Sequence, residues 1–173
     1  MVALYEQKSI ADDEVLQNKK IRTESSYSKR SSDPKNKLAR DAFDKENIML
    51  TNENENKVLQ AVKLASEQWK AAFNRGDSVG CAAQYEVDAV MNATPFGQFK
   101  GREAIQGFWQ QLIADGFSDV DYVEPKITVI NEQSAVLTSG WKMNNASGVI
   151  TNELWVLQSD GSAKLREDDF AAQ

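Results

Sequence analysis

One carboxylate stands where the sequence pattern favours a buried acid or base. Glu153 lies in the strand-like run VITNELWVL, and because side chains alternate between the two faces of a strand, it shares a face with Thr151 and Trp155. A bare carboxylate on an inward, apolar face is so costly that it must be paired, protonated or functional. The alternatives are that this face is the outer one, or that Lys142 or Arg166 pairs with Glu153 across the sheet.

A second group of carboxylates lies in the run SAKLREDDF. Glu167 and Asp169 are two residues apart, so as strand residues they share a face with Leu165. Two carboxylates on one face can share a proton or bind a hard cation through oxygen ligands. The alternative is a solvated acidic cluster, which is usual near a chain end. We therefore predict Glu153 as a catalytic acid or base and Asp169 as a second candidate.

Aromatic and polar residues in the same part of the chain could line a pocket for a flat or apolar ligand. The alternative for each aromatic residue is ordinary packing in the core. Asn92 and Thr94, beside Pro95 at a turn, are expected to face the pocket and orient a ligand by hydrogen bonds. The predicted ligand-binding residues are Trp69, Tyr85, Met91, Asn92, Thr94, Phe99, Trp109, Trp141 and Trp155.

The composition removes several kinds of chemistry. The sequence has 173 residues, a net charge of -6, no histidine and a single cysteine, Cys81. Structural zinc sites, histidine-paired nucleophiles and disulfide frameworks are therefore excluded, and we predict neither a metal nor a cofactor. The acidic balance argues against nucleic acid or a membrane surface as the partner.

The sequence also predicts a cytoplasmic location. No apolar stretch approaches the roughly 20 residues that span a bilayer. The N-terminal run MVALYEQKSIADDEVL is acidic where a targeting peptide would be basic, and a lone cysteine fits a reducing compartment.

The first fifty residues differ in texture from the rest. The run QNKKIRTESSYSKRSSDPKNK has almost no apolar side chains, so it cannot bury enough surface to offset the entropy of ordering. We predict that residues 1–50 form a low-complexity tail, disordered or loosely helical, and that residues 51–173 form the folded domain.

The remainder of the chain predicts helices first and strands after them. A long amphipathic helix begins near Thr51 and ends at the NRGD run, and a short second helix runs from its cap at Asp77 to about Tyr85. Two short strands surround a Pro-Phe-Gly turn, a third helix spans residues 102–114, and four β-rich runs separated by turn residues follow. This order predicts an α+β fold with the helices on one face of a mostly antiparallel sheet.

Three runs in this order resemble the SnoaL-like branch of the NTF2-like superfamily of cystatin-like α+β cones. They are AAFNRGD, YEVDAVMNATPFGQFKGREAIQGFW and ELWVLQSDGSAKLREDDF, and the resemblance covers residues 57–170. It implies three N-terminal helices packed on a curved sheet that wraps the first helix and leaves an apolar cone-shaped cavity. In this family the cavity is an active site in some members and a ligand pocket in others.

The resemblance also implies site positions. Members similar to ketosteroid isomerase use a tyrosine in the first helix, an aspartate base beside a Pro-x-Gly turn and a neutral acid on a late strand. These positions fall on Trp69, Thr94 and Glu153, so only the late acid keeps its chemistry. A threonine is not a base near neutral pH without a helper, which argues against steroid isomerisation by that mechanism. SnoaL-like cyclases place pocket carboxylates on the closing strands, where Glu167 and Asp169 lie.

Three functions remain open at this point. The first is a domain that binds a small apolar or aromatic ligand, with isomerase-like or cyclase-like acid-base chemistry. The second is a non-catalytic module that forms a homodimer through the outer sheet face, where Val136, Ile150 and Val156 are predicted. The third is an accessory domain without turnover. A cavity of roughly 300 Å³ or more would favour the first.

Overall fold

The structure, a computed structural model, describes residues 34–173. The predictions for residues 1–33 lie outside that range. The chain divides after Asn47 into two units. In the first unit every described residue is helical, and the second, Ile48–Gln173, contains the whole sheet. The predicted division of the chain at residue 51 stays a prediction.

The described part of the chain has three helices: α1 Pro34–Asn74, α2 Ser78–Ala82 and α3 Arg102–Ala114. The predicted helix start near Thr51 is wrong, because the preceding run KLARDAFDKENIML contains good helix formers and neither Gly nor Pro. At five residues α2 is shorter than predicted, since β1 already begins at Tyr85. None of these helices has a stretch that is long and apolar enough to cross a membrane.

One face of α1 is buried in the core that it shares with the sheet. The buried residues recur at helical spacing and are Val58, Val62, Ala65, Trp69, Ala72 and Phe73. At the end of α1 the Asn74 side chain donates to the Val120 carbonyl at 2.9 Å and accepts from the Val120 N–H at 2.7 Å. As predicted, Asp77 caps α2, accepting from the Gly80 N–H at 2.7 Å. These bonds fix the turns that lead from the helices to the strands.

Six strands form one curved sheet in the order β2-β1-β6-β5-β4-β3. All neighbouring strands are antiparallel except β1 and β6, which are parallel. The strands are β1 Tyr85–Thr94, β2 Gly97–Lys100, β3 Asp121–Asn131, β4 Ser134–Lys142, β5 Ser147–Leu157 and β6 Ala163–Ala172. The predicted α+β class and mostly antiparallel sheet are confirmed, and α3 follows β2 as the sequence order predicted.

Two bulges decide which side chains of the central strands face the helices. Arg166, between Leu165 and Glu167 on β6, has no partner in the β5 register, and Thr151 on β5 has none in the β6 register. If side chains alternated strictly between the two faces from Leu165 onwards, Asp168 would lie on the outer face of the sheet. With the bulge, Arg166 and Glu167 are both exposed and Asp168 is buried on the inner face.

Gly148 on β5 provides room for an indole ring on the neighbouring strand. It lies directly opposite Trp141 on β4. A Cβ atom at residue 148 would lie 2.5 Å from Trp141 Cζ2 and 2.6 Å from Trp141 Cε2, and it would also overlap the Ala171 carbonyl oxygen. The Trp141 ring can therefore occupy this position only because residue 148 is a glycine.

Gly148→Ala should lower the free energy of unfolding by roughly 2 to 3 kcal/mol, because the added methyl group overlaps both a ring and a backbone carbonyl. Gly107→Ala in α3 is the control, since a Cβ there meets nothing within 4 Å. Alanine also favours a helix over glycine by about 1 kcal/mol. Urea unfolding followed by circular dichroism measures both variants, and equal stabilities would contradict the close packing at Gly148.

Candidate functional site

A cavity of about 550 Å³ lies between the helices and the inner face of the sheet. Its volume lies within the usual range for small-molecule sites. It also exceeds the roughly 300 Å³ above which a ligand-binding domain is favoured over the other two functions. The Trp69 and Trp109 rings meet edge to face in its wall, with centroids 4.9 Å apart. The aromatic lining residues are Trp69, Phe96, Phe99, Phe108, Trp109, Phe117, Tyr122, Trp141 and Phe170.

Glu153 lines this cavity with a side chain that is almost wholly buried. Its Oε1 accepts a hydrogen bond from the Tyr122 hydroxyl at 2.9 Å, and its Oε2 accepts one from Trp155 Nε1 at 2.9 Å. The predicted shared face with Trp155 is therefore present. The alternative that Lys142 or Arg166 pairs with Glu153 is wrong. Among the described residues no ion pair includes Glu153, and Arg166 pairs with Glu86 at 2.7 Å.

Asp168 on β6, which was not predicted as a site residue, lines the cavity beside Glu153. The two residues are directly opposite in the β5–β6 register, so their side chains are neighbours on one face. Asp168 Oδ2 accepts a hydrogen bond from the Tyr85 hydroxyl at 2.6 Å. No side chain in residues 34–173 donates a hydrogen bond to Oδ1.

Burial and neighbouring negative charge keep the two carboxyls from ionising in the ordinary range. Removal from water raises the pKa of Glu153 from 4.5 to about 8, and the charge of Asp168 adds to the rise. Burial likewise raises the pKa of Asp168 from 3.8 to about 7, although the Tyr85 hydrogen bond opposes the rise. The pair therefore holds a proton near neutral pH, which leaves one carboxyl as an acid and the other as a base.

The two tyrosines that bind these carboxyls are hydrogen-bond donors throughout this range. Burial, followed by the nearby carboxylates, raises the pKa of both Tyr85 and Tyr122 well above the ordinary value. Tyr122 is held in place as the cross-strand partner of Trp141, and the Lys70 ammonium lies 5.0 Å from its ring centroid. Tyr122 was not predicted as a site residue, because its only sequence signal is its position in a predicted strand.

The charges around the cavity have one sign. No lysine or arginine of the described chain lines it, and its acidic lining residues are Asp115, Glu153 and Asp168. Asp115 is exposed and accepts a hydrogen bond from Gln111 at 2.9 Å. A negatively charged ligand would therefore find no cation in the wall, while a neutral ligand would meet an acid and a base.

The predicted ligand-binding residues fall into three groups. Trp69, Phe99, Trp109 and Trp141 line the cavity, and Tyr85, Met91 and Trp155 are fully buried behind its wall. The expectation that Asn92 and Thr94 face the cavity is wrong. Because Met91 points inward on β1, its neighbours along the strand lie on the outer face, and Thr94 is exposed.

Asp169, the second catalytic candidate, also lies on the outer face. Its Oδ1 accepts from Asn92 Nδ2 at 2.5 Å and its Oδ2 from Asn152 Nδ2 at 3.2 Å. The bulge at Arg166 is the cause, because it places Asp168 instead of Asp169 on the face of Leu165. The acidic run EDDF contained the cavity residue, but only the pairing register identifies which aspartate it is.

Comparison with known proteins identifies the family of the chain and the likeness of its fold. The family model of the SnoaL-like domain matches residues 66–157, which confirms the resemblance inferred from the sequence. A search of curated proteins found no match.

Three solved structures illustrate the likeness of fold. A candidate scytalone dehydratase from Novosphingobium aromaticivorans has a TM-score of 0.61 at 14% identity, covering 70% of this chain and 88% of that one. A ketosteroid isomerase-like protein from Erwinia carotovora atroseptica has a TM-score of 0.57 at 17% identity, covering 66% and 95%. A candidate calcium/calmodulin dependent protein kinase II association domain from Xanthomonas campestris has a TM-score of 0.56 at 16% identity, covering 65% and 85%.

The raised pKa of Glu153 predicts that stability falls as pH rises. The folded protein retains a proton that the unfolded chain releases, so stability present below pH 4.5 is lost progressively as pH rises towards about 8. Glu153→Gln removes this titration and should reduce the decline, measured as melting temperature against pH. Asp168, whose pKa is also raised, contributes the part of the decline that remains.

Glu86→Gln is the control for this experiment. Arg166 lowers the pKa of Glu86, so that carboxylate contributes stability that is lost as pH falls, which is the opposite sign. The control should retain the decline at higher pH. Identical profiles for the wild type and Glu153→Gln would contradict a protonated, buried carboxyl.

Proposed function

The chain belongs to the SnoaL-like domain family, and on this premise we propose that its cavity binds a small, neutral, mainly apolar ligand and transfers protons on it. The observation that carries this proposal is the pair of buried carboxyls, Glu153 and Asp168, in an otherwise apolar wall. Buried, unpaired acids destabilise a fold, so two of them at the same cavity favour a role in chemistry.

The two carboxyls suit different roles. Asp168 has an oxygen to which no side chain of the described residues donates, so it is the base that removes a proton from a carbon next to a ligand carbonyl. Glu153 is held in place by hydrogen bonds from Tyr122 and Trp155 and is the acid that donates a hydrogen bond to the developing oxygen charge. Return of the proton from Asp168 to another carbon would complete an isomerisation.

This arrangement differs from the sites of enzymes similar to ketosteroid isomerase. The base position carried over from them is Thr94, which is exposed on the outer face. In the proposed reaction Asp168 takes the role of the base, while the late acid remains at Glu153. The position of the first-helix tyrosine is occupied by Trp69, which has no hydroxyl group. The hydroxyl groups that bind the carboxyls come instead from Tyr85 and Tyr122.

Asp168→Asn should slow proton transfer by roughly 100-fold or more, which is a common contribution of a general base. The substrate need not be known, because NMR can follow the exchange of the acidic C–H protons of β-tetralone, a neutral bicyclic ketone, with solvent deuterium. Asp115→Asn is the control, since Asp115 lines the cavity but is exposed. Exchange at the buffer rate with wild-type protein would contradict the acid-base role.

A second candidate function is association with another copy of the chain. Val136 on β4 lies opposite Leu154 on β5, and with Val156 they form a half-buried apolar row on the outer face. The expected outward position of Ile150 is wrong, because Ile150 is buried and lines the cavity. The name of one structural neighbour, an association domain, agrees with this candidate.

If this row forms a homodimer, Leu154→Glu should convert the dimer to a monomer, because it places a charge in an apolar interface. Leu64→Glu is the control, since Leu64 is an exposed leucine on α1. Size-exclusion chromatography with light scattering at micromolar concentration measures both variants. A monomeric wild-type protein would remove this candidate.

A cytoplasmic location also remains part of the proposal. It is supported by Cys81, the lone cysteine, which is buried and free in a manner typical of reducing compartments.

A further inference from the structure

Gly107 lies in the middle of α3, where glycine disfavours a helix more than any residue except proline. Its φ angle lies outside the left-handed region, and a Cβ atom on residue 107 would meet nothing within 4 Å. Unlike Gly148, Gly107 is therefore explained neither by its backbone conformation nor by a neighbouring side chain. Its distinguishing feature is that it lines the cavity.

The face of α3 that includes Gly107 is open to water. Ala104, Gly107 and Gln111 are three and four residues apart, so they lie on the same face of the helix. All three line the cavity and all three are exposed. A side chain on residue 107 would therefore extend into open space where the cavity meets the solvent.

The carboxyls lie at the buried end of the same cavity. On β6, Asp168, Phe170 and Ala172 share the inner face, and each lines the cavity. Asp168 is only 3% exposed, whereas Phe170 and Ala172 are half-buried. Four residues of a strand span roughly 13 Å, so the cavity opens to water along β6 over about that distance from Asp168.

Phe96 connects the open end of β6 to α3. Thr94 pairs with Ala171, so the turn that carries Phe96 lies beside the end of β6. The Phe96 side chain is 57% exposed and lines the cavity, and its ring centroid lies 5.8 Å from that of Phe108, the residue after Gly107. Gly107 is therefore at the open end, which we call the mouth. Exposed lining residues at the mouth are Phe96, Ala104, Gly107 and Gln111.

We propose that Gly107 is a specificity residue, which leaves room at the mouth for a substituent on the far end of the ligand. This inference rests on the proposed function, since it places the ligand carbonyl at Glu153 and Asp168. The ligand is then a neutral ring ketone that carries a substituent opposite its carbonyl. The ring is buried against the apolar wall, while the substituent passes Gly107 into water and can be polar.

The first experiment compares three neutral probes: β-tetralone, and β-tetralone with a short ethylene glycol chain on carbon 6 or on carbon 3. Carbon 6 is at the far end of the ring system, and carbon 3 is beside the carbonyl. Isothermal titration calorimetry of the full chain gives each Kd. The carbon 6 chain should change the Kd by no more than about threefold, because it stays in water. The carbon 3 chain should weaken binding roughly 10-fold or more, because it must displace packed side chains.

Gly107→Leu should close the mouth to the substituent. The ratio of the Kd of the carbon 6 probe to that of β-tetralone should rise roughly 10-fold, because the leucine side chain occupies the space of the chain. Gln110→Leu is the control, since Gln110 is exposed on α3 but does not line the cavity, and it should leave this ratio unchanged. Leucine favours a helix over glycine, so the fold of α3 is retained.

A second variant, Gly107→Cys, locates the substituent directly. A carbon 6 probe whose chain ends in an acrylamide should alkylate the introduced thiol at least roughly 10-fold faster than it alkylates Leu64→Cys, because bound probe holds the acrylamide near the thiol. Leu64 is exposed on α1 and does not line the cavity. The natural thiol, Cys81, is buried with its pKa raised to about 12 and reacts slowly in both variants. An excess of β-tetralone should remove the acceleration.

Failure of this inference is distinct from failure of the proposed function. If β-tetralone binds but the two chains weaken binding equally, or Gly107→Leu weakens both ligands equally, the role of Gly107 is wrong while the ligand pocket stands. Equal alkylation of Gly107→Cys and Leu64→Cys would also overturn it. If β-tetralone itself does not bind at millimolar concentration, the proposed function and this inference with it are overturned.

Discussion

Two carboxyls share one apolar face, and the rest of the site follows from the cost of charging them there. Glu153 and Asp168 are cross-strand partners with almost no exposure to water. No cation pairs with either of them among the described residues, so their negative charges are stabilised only by hydrogen bonds from Tyr85, Tyr122 and Trp155. The proton that the pair retains is the physical basis for proposing both an acid and a base.

The backbone supports this arrangement at some cost in regularity. The bulge at Arg166 turns Asp168 inward, and the unpaired Thr151 restores the register beyond Glu153. Residue 148 is a glycine, and the absence of a Cβ atom leaves room for the Trp141 ring. Buried carboxyls and irregular pairing both occur around one cavity, and departures of this kind collect at functional sites because they do not help a fold to be stable.

Sequence patterns predicted the features that follow from local alternation along a strand or helix. They did not predict which side chains face the cavity where that depends on the pairing register between strands. The fold class and the cavity position of Glu153 followed from helical spacing and from the period of two that links Glu153 to Trp155. Asp168 could not be predicted, because one extra residue on β6 exchanges its face with that of Asp169. Asn92 and Thr94 were assigned to the cavity by their position at a turn, although Met91 already occupied the inward face of β1.

The central claim is that Glu153 and Asp168 together hold a proton near neutral pH. Carbon-detected NMR of side-chain carboxyls, with assignments from Glu153→Gln and Asp168→Asn, measures it directly by following chemical shift against pH. The account predicts two carboxyl signals that titrate above the ordinary values of 4.5 and 3.8, and a change in either titration when the other residue is replaced. Two signals that titrate independently at those ordinary values would contradict the account.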